Sequence, residues 1–289
     1  MGKNSAIAWT DNSFNPWIGC TKVGPGCDNC YAEKERCSLA LGVKWGPGEA
    51  RHRTAESTWR NPRRWNDQAK KSGVRQKVFC ASLGDVFDNE VPQEWRDDLW
   101  ALIRETPHLD WIILTKRIGN VREMLPVDWD SWHGYPNVWL LITVVNQDEA
   151  NRDIPKLLDI PAQVRGVSIE PQIGPVDLEN IPYTDTDGDY CMINALEGEL
   201  WVDGFQDPDT MEELDWVICG AESGPNRRPF DIAWARELRK QCWRTQTPFF
   251  LKQTPGDTRK GVIETPELDG RRWIQYPEGA GVIGINIKE

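Results

Sequence analysis

Three cysteines fall within eleven residues near the N-terminus, in NPWIGCTKVGPGCDNCYA, with six residues between Cys20 and Cys27 and two between Cys27 and Cys30. Glycine and proline let such a loop fold back so that its sulfurs converge, and cysteines flanked by Gly, Pro and Asp have little apolar core to enter. Thiolates placed this way select zinc or an iron–sulfur cluster. Cys37 extends the spacing by six further residues, but YAEKERCSLALG reads as helix. A seven-residue helical step carries Cys37 about 10 Å along the axis, at roughly 1.5 Å per residue. Three sulfurs without a near fourth ligand suit structural zinc poorly, because it closes a tetrahedral shell. They suit a four-iron cluster with one iron left open. Histidine adds little, since the chain has only His52, His108 and His133. Cys80, Cys191, Cys219 and Cys242 lie in apolar or strand-like segments and read as packing residues.

These sulfurs need a scaffold. Six apolar runs, KVFCAS (77–82), DWIILT (110–115), NVWLLIT (138–144), RGVSI (165–169), DWVICG (215–220) and PFFLK (248–252), alternate with helical or polar stretches. Nearly continuous apolar runs mark strands covered on both faces, and the alternation predicts an α/β fold around a mainly parallel sheet. A seventh, short strand is expected before Cys20. The spacing predicts a helix over 92–105 with Trp95, Leu99, Leu102 and Ile103 on one face, and another after an Asp231 cap. A third is expected from about Asn146 to Leu158, limited or kinked by Pro155.

The 289-residue chain has a net charge of −11, which argues against a uniformly basic nucleic-acid coat. It has no apolar run near the roughly 18 to 20 residues of a membrane span and no signal-peptide core, so a cytoplasmic location is expected. Charge is unevenly placed. Residues 51–77 hold nine Lys or Arg against Glu56 and Asp67, whereas 166–226 hold 15 acids and no Lys or Arg. In the basic part, STWRNPRRWNDQ interleaves Arg60, Arg63 and Arg64 with Trp59 and Trp65, a pattern that binds phosphates and stacks bases. The competing reading is a solvated helix whose tryptophans pack on the sheet. The acidic part predicts an insertion over 177–214, a hairpin at one end of the sheet, within a single domain spanning 1–289.

The stretch NPWIGCTKVGPGCDNCYAE, followed in order by FCASLGDVF, WIILTKR, GVSIEP, WVICGAESG and FFLKQ, resembles the three-Cys-motif phage protein family, a group related to radical S-adenosylmethionine enzymes. The resemblance covers nearly the whole chain. It implies a partial (β/α) barrel, a [4Fe-4S] cluster on Cys20, Cys27 and Cys30, and S-adenosylmethionine bound at the open iron. It also implies an external electron donor and a partner protein encoded nearby. The pattern departs from the commonest one in those enzymes, which has three residues between the first two cysteines and an aromatic just before the last. Here Asn29 precedes Cys30 and Tyr31 follows it.

In such a barrel the chemistry gathers at the C-terminal ends of the strands. By this resemblance Ser82, Gly84 and Asp85 would receive the methionine ammonium, Asp85 having a turn or cap as its alternative role. Thr115, Lys116 and Arg117 would bind a carboxylate or phosphate. Thr143, Asn146, Ser168 and Glu170 would meet the ribose hydroxyls and the carboxylate, with Glu170 otherwise the partner of a nearby Lys or Arg. Gly220 and Glu222 would let adenine approach, and Lys252 and Gln253 close the series. Two functions are therefore expected. One is a radical enzyme acting on an unidentified substrate, a nucleic acid or modified nucleotide among the choices. The other is a zinc- or cluster-stabilised phage protein that binds nucleic acid or a partner without turnover.

Overall fold

The computed structural model describes residues 5–277 except 6, 35, 130, 131, 186 and 259; the side chains of 34, 36 and 37 lie outside the description. The principal sheet has eight strands, in the order Asn12–Ser13, Gln76–Cys80, Leu109–Thr115, Val138–Thr143, Val164–Ile169, Trp216–Gly220, Phe249–Pro255 and Val262–Glu264. The first seven run parallel, and the last returns antiparallel. Strand order follows chain order. Crossovers that each advance one place in the same direction put the helices on one face and curl the sheet, which here stays open as a partial barrel.

All six apolar runs are strands of this sheet. The seventh predicted strand is Asn12–Ser13, whose partner is Gln76–Cys80. The eighth, Val262–Glu264, escaped prediction because it is a three-residue edge with Ile263 and Glu264 exposed.

Alternation along the strands divides the core in two. Residues such as Val78, Trp111, Ile113, Leu140, Val167, Val217 and Phe249 face the helices. Their neighbours Phe79, Ile112, Trp139, Leu141, Trp216, Ile218 and Phe250 face the concave side, closed by Trp9 with Ile7, Ile274 and Tyr276. The helix Gln93–Glu105 buries Leu99, Trp100, Leu102 and Ile103, with Pro92 at its cap position rather than in its first turn. Asp231 caps Ile232–Thr245 by accepting the Ala233 N–H at 2.8 Å. Gln147–Leu158 runs through Pro155.

The acidic stretch is richer than a hairpin. Ile181–Thr184, Tyr190–Asn194, Glu199–Val202 and Asp209–Thr210 form a four-stranded antiparallel meander. Ile181, Ile193, Ala195 and Leu196 anchor it to the helix-side core.

The two tryptophans of the basic segment are packed inward. Trp59 and Trp65 are 5% and 2% exposed. Phe14 lies edge-on to Trp59 and Trp111, at 5.5 and 5.7 Å between ring centroids. The two rings therefore have no open face for a base, and the packing alternative holds for them. Arg63 pairs with Glu105 at 2.6 Å, Arg64 donates to Asn61, and Arg60 is exposed. Arg51 is buried against Asp88. No described helix is long and apolar enough to cross a membrane.

Candidate functional site

A strand repeats every two residues, so the concave register runs through the C-terminal part of each strand and on into the loop beyond it. Ala81 follows Phe79 in this register, Lys116 follows Leu114, and Thr143 follows Leu141. Glu170 follows Ser168, and Lys252 follows Phe250. These residues border one cavity of about 480 Å³, with Trp9 and Phe79 among its apolar walls. Cys20, Cys27 and Cys30 border the same cavity from the N-terminal loop.

Each expected ligand-contacting residue can now be placed. Ser82, Gly84, Asp85, Thr115, Lys116, Thr143, Ser168, Glu170 and Glu222 all line the cavity. Asn146 and Gly220 do not. The Asn146 side chain caps Gln147–Leu158 by accepting the Glu149 N–H at 3.0 Å. At Gly220 a Cβ would lie 3.3 Å from Gln253 Cγ and 3.4 Å from Glu170 Cγ, so the glycine leaves room for both side chains.

Asp85 accepts from Thr115 Oγ1 at 2.8 Å, Phe87 N–H at 3.0 Å and Lys116 N–H at 3.1 Å. Its carboxylate has about four acceptor sites, so most are taken by the chain's own loop. Lys116 Nζ donates to Thr143 Oγ1 at 3.2 Å. Glu170 and Lys252 form an ion pair at the cavity wall.

The cysteine loop is docked onto these strand ends. A Cβ on Gly26 would lie 2.9 Å from Val145 Cγ1 and 3.2 Å from Lys116 Cε, a closeness that accounts for glycine there. From the far end of the chain, Arg228 donates to Pro25 O at 3.0 Å and, through Nη2, to Glu222 at 2.5 Å. Asn29 Nδ2 donates to Glu222 at 3.1 Å. Burial alone would raise Glu222, yet the hydrogen bonds from Arg228 and Asn29 outweigh it and hold the carboxyl below its ordinary value.

Sequence reasoning missed Asn29 and Arg228 as a latch, because nothing local in GAESGPNRRP points back to residues 25–29. Because the folded-state pKa of Glu222 is lowered, its contribution is complete above the ordinary carboxyl value near ~4.3 and fades as pH falls through the lowered one. Glu222→Gln is expected to remove about 1–3 kcal/mol of docking energy. The measurement is the hydrogen-exchange protection factor across residues 20–30, corrected for the intrinsic rate at each pH, which should fall in the variant at neutral pH and in the wild type on acidification. Unchanged exchange would contradict the latch.

The donor set fits a sulfur-held group: three cysteines share the cavity, and none of the three histidines lines it. Among the described residues no three His, Cys, Asp or Glu side chains meet so as to hold a single metal ion. A cluster makes a different demand, since each cysteine binds its own iron. Burial pushes the Cys20 thiol up to about 11; Asp85 adds to the rise and Arg117 opposes it. Cys80, Cys219 and Cys242 are fully buried and their thiols are raised by that burial, in keeping with packing roles. The side chain of Cys37, the discounted fourth sulfur, lies outside the described residues.

A family model described as a protein of unknown function (DUF5131) matches residues 4–277. No curated protein matches the chain. Among solved structures, a spore photoproduct lyase mutant is similar at a TM-score of 0.44 and 10% sequence identity, covering 86% of this chain and 77% of that one.

Proposed function

The chain belongs to the DUF5131 family of proteins of unknown function, and we propose that it is a radical S-adenosylmethionine enzyme, kin to the three-Cys-motif phage proteins, whose cluster is held by Cys20, Cys27 and Cys30. The observation that carries this reading is that those three cysteines and the polar strand-end residues border one cavity. A volume of about 480 Å³ lies within the usual range of small-molecule and cofactor sites.

A [4Fe-4S] cluster, which Cys20, Cys27 and Cys30 would hold, would supply the single electron needed to cleave a carbon–sulfur bond of S-adenosylmethionine, an electron drawn from an external donor. The chain's own residues bind and orient. Lys116, steadied by Thr143, offers positive charge to a carboxylate. Ser168 and the Glu170–Lys252 pair offer donors and acceptors to hydroxyl and amino groups. Trp9, Phe79 and Leu114 present apolar surface that excludes water from the reacting end.

The test is an anaerobic reconstitution followed by reduction with dithionite in the presence of S-adenosylmethionine. The expected products are 5′-deoxyadenosine and methionine. An intact, reducible cluster that yields neither would overturn the catalytic reading. A colourless protein carrying one zinc would overturn the cluster as well.

A further inference from the structure

Arg117 follows the strand Leu109–Thr115 by two residues and stands at the cap position of the helix Ile118–Met124. Its neighbour Lys116 lines the cavity, whereas the Arg117 side chain, 9% exposed, lies against the cysteine loop. Nη2 donates to Thr21 O at 2.7 Å and to Cys20 Sγ at 3.5 Å. Asp85 and Asp88 each place a carboxylate oxygen 3.9 Å from the guanidinium.

The contrast with Arg51 is informative. Arg51 also reaches Thr21, donating to its Oγ1 at 2.7 Å, and its other donors meet Asp88 at 2.8 Å, Glu90 at 2.6 Å, and the Gly46 and Glu49 carbonyls. That guanidinium has a hydrogen-bond partner at each of its three nitrogens and acts as a tie. Arg117 Nε, by comparison, is buried without a hydrogen-bond partner. A charge kept out of water with an unmet donor costs stability, so its retention beside a sulfur calls for another explanation than holding the loop.

We infer that Arg117 is a positioning residue that places positive charge and an N–H donor at the Cys20 sulfur, and so raises the reduction potential of the cluster that Cys20 holds. The inference rests on the cluster reading above. Reduction adds one electron to the cluster, and a donor aimed at a ligand sulfur stabilises the more negative state. The two carboxylates of Asp85 and Asp88 aim the guanidinium, and Arg51 holds Asp88 in turn.

The experiment compares anaerobically reconstituted wild type, Arg117→Lys and Arg117→Gln, titrated with dithionite and redox mediators while the reduced cluster is followed by electron paramagnetic resonance. The midpoint is expected to move to more negative potential in Arg117→Gln and to recover part of the way in Arg117→Lys. Iron affinity should fall by about 10–100-fold in Arg117→Gln, as for other residues behind metal ligands. Wild-type midpoints in both variants overturn the inference. Should Arg117→Gln fail to fold, Arg117→Lys carries the test alone: a more negative midpoint supports the role, and an unchanged one overturns it. Wild type that takes up no iron overturns the cluster reading instead, which keeps the two failures apart.

Discussion

Cys27→Ala is expected to fold and to lose its iron. Reconstituted wild type should be brown, with absorption near ~410 nm and about four iron and four sulfide per chain, and the variant should be colourless. Cys27 belongs to the short turn Pro25–Cys27, held by its own N–H to Gly24 O at 2.9 Å, and alanine keeps that bond. Its loss therefore removes a ligand without removing a fold element. Cys20→Ala and Cys30→Ala should behave alike. Cys80→Ala and Cys242→Ala should keep full colour, since both thiols are enclosed in the helix-side core and neither lines the cavity. Cys37→Ala decides whether a fourth sulfur takes part. Full iron in Cys27→Ala, measured by metal analysis on folded protein, would remove the basis for a cluster at this loop.

Trp216→Ala should destabilise the fold by about 3–5 kcal/mol, the usual cost of deleting a buried tryptophan. Its ring packs against Tyr276 at 5.3 Å, Trp139 at 5.8 Å, and Trp9 and Phe250 at 6.2 Å each. Its Nε1 donates to Gln275 O at 2.9 Å, tying the region near the C-terminal end of the described chain to the sheet. Among the described residues, Trp9, Ile7, Ile274 and Tyr276 from the two ends of the described chain pack on the concave-side cluster. Urea denaturation should give a lower midpoint with an unchanged slope. Because Trp9 is both a neighbour of Trp216 and a wall of the cavity, ligand affinity should fall in step. A change below about 1 kcal/mol would mean that the cluster repacks and that this face is less rigid than its geometry implies.

The strands were legible because each is buried on both faces, which writes an unbroken apolar run into the sequence. Most cavity residues were legible for a related reason: they lie at the C-terminal ends of those runs, in a register that period two extends. Asn146 and Gly220 also lie at strand ends and still fell outside: Asn146, off the register of Leu141 and Thr143, is drawn off by a helix that needed a cap, and Gly220 leaves room for Gln253 and Glu170. Trp59 and Trp65 misled because arginines beside them on an amphipathic helix point outward while the rings point in. Arg117 and Arg228 carried no local signal of their roles, since their partners Cys20, Thr21, Pro25 and Glu222 are brought near by the curl of the sheet and not by neighbouring sequence.

The latch between Asn29 and Glu222 spans 193 residues of chain. On a ribosome adding ~5–20 residues per second, that distance takes about 10–40 s to synthesise. Throughout that interval the three thiols are already made while the segment that fastens their loop does not yet exist. Docking of the cysteine loop is thus a late event in the life of the new chain, one that follows the emergence of Arg228 rather than that of Cys30.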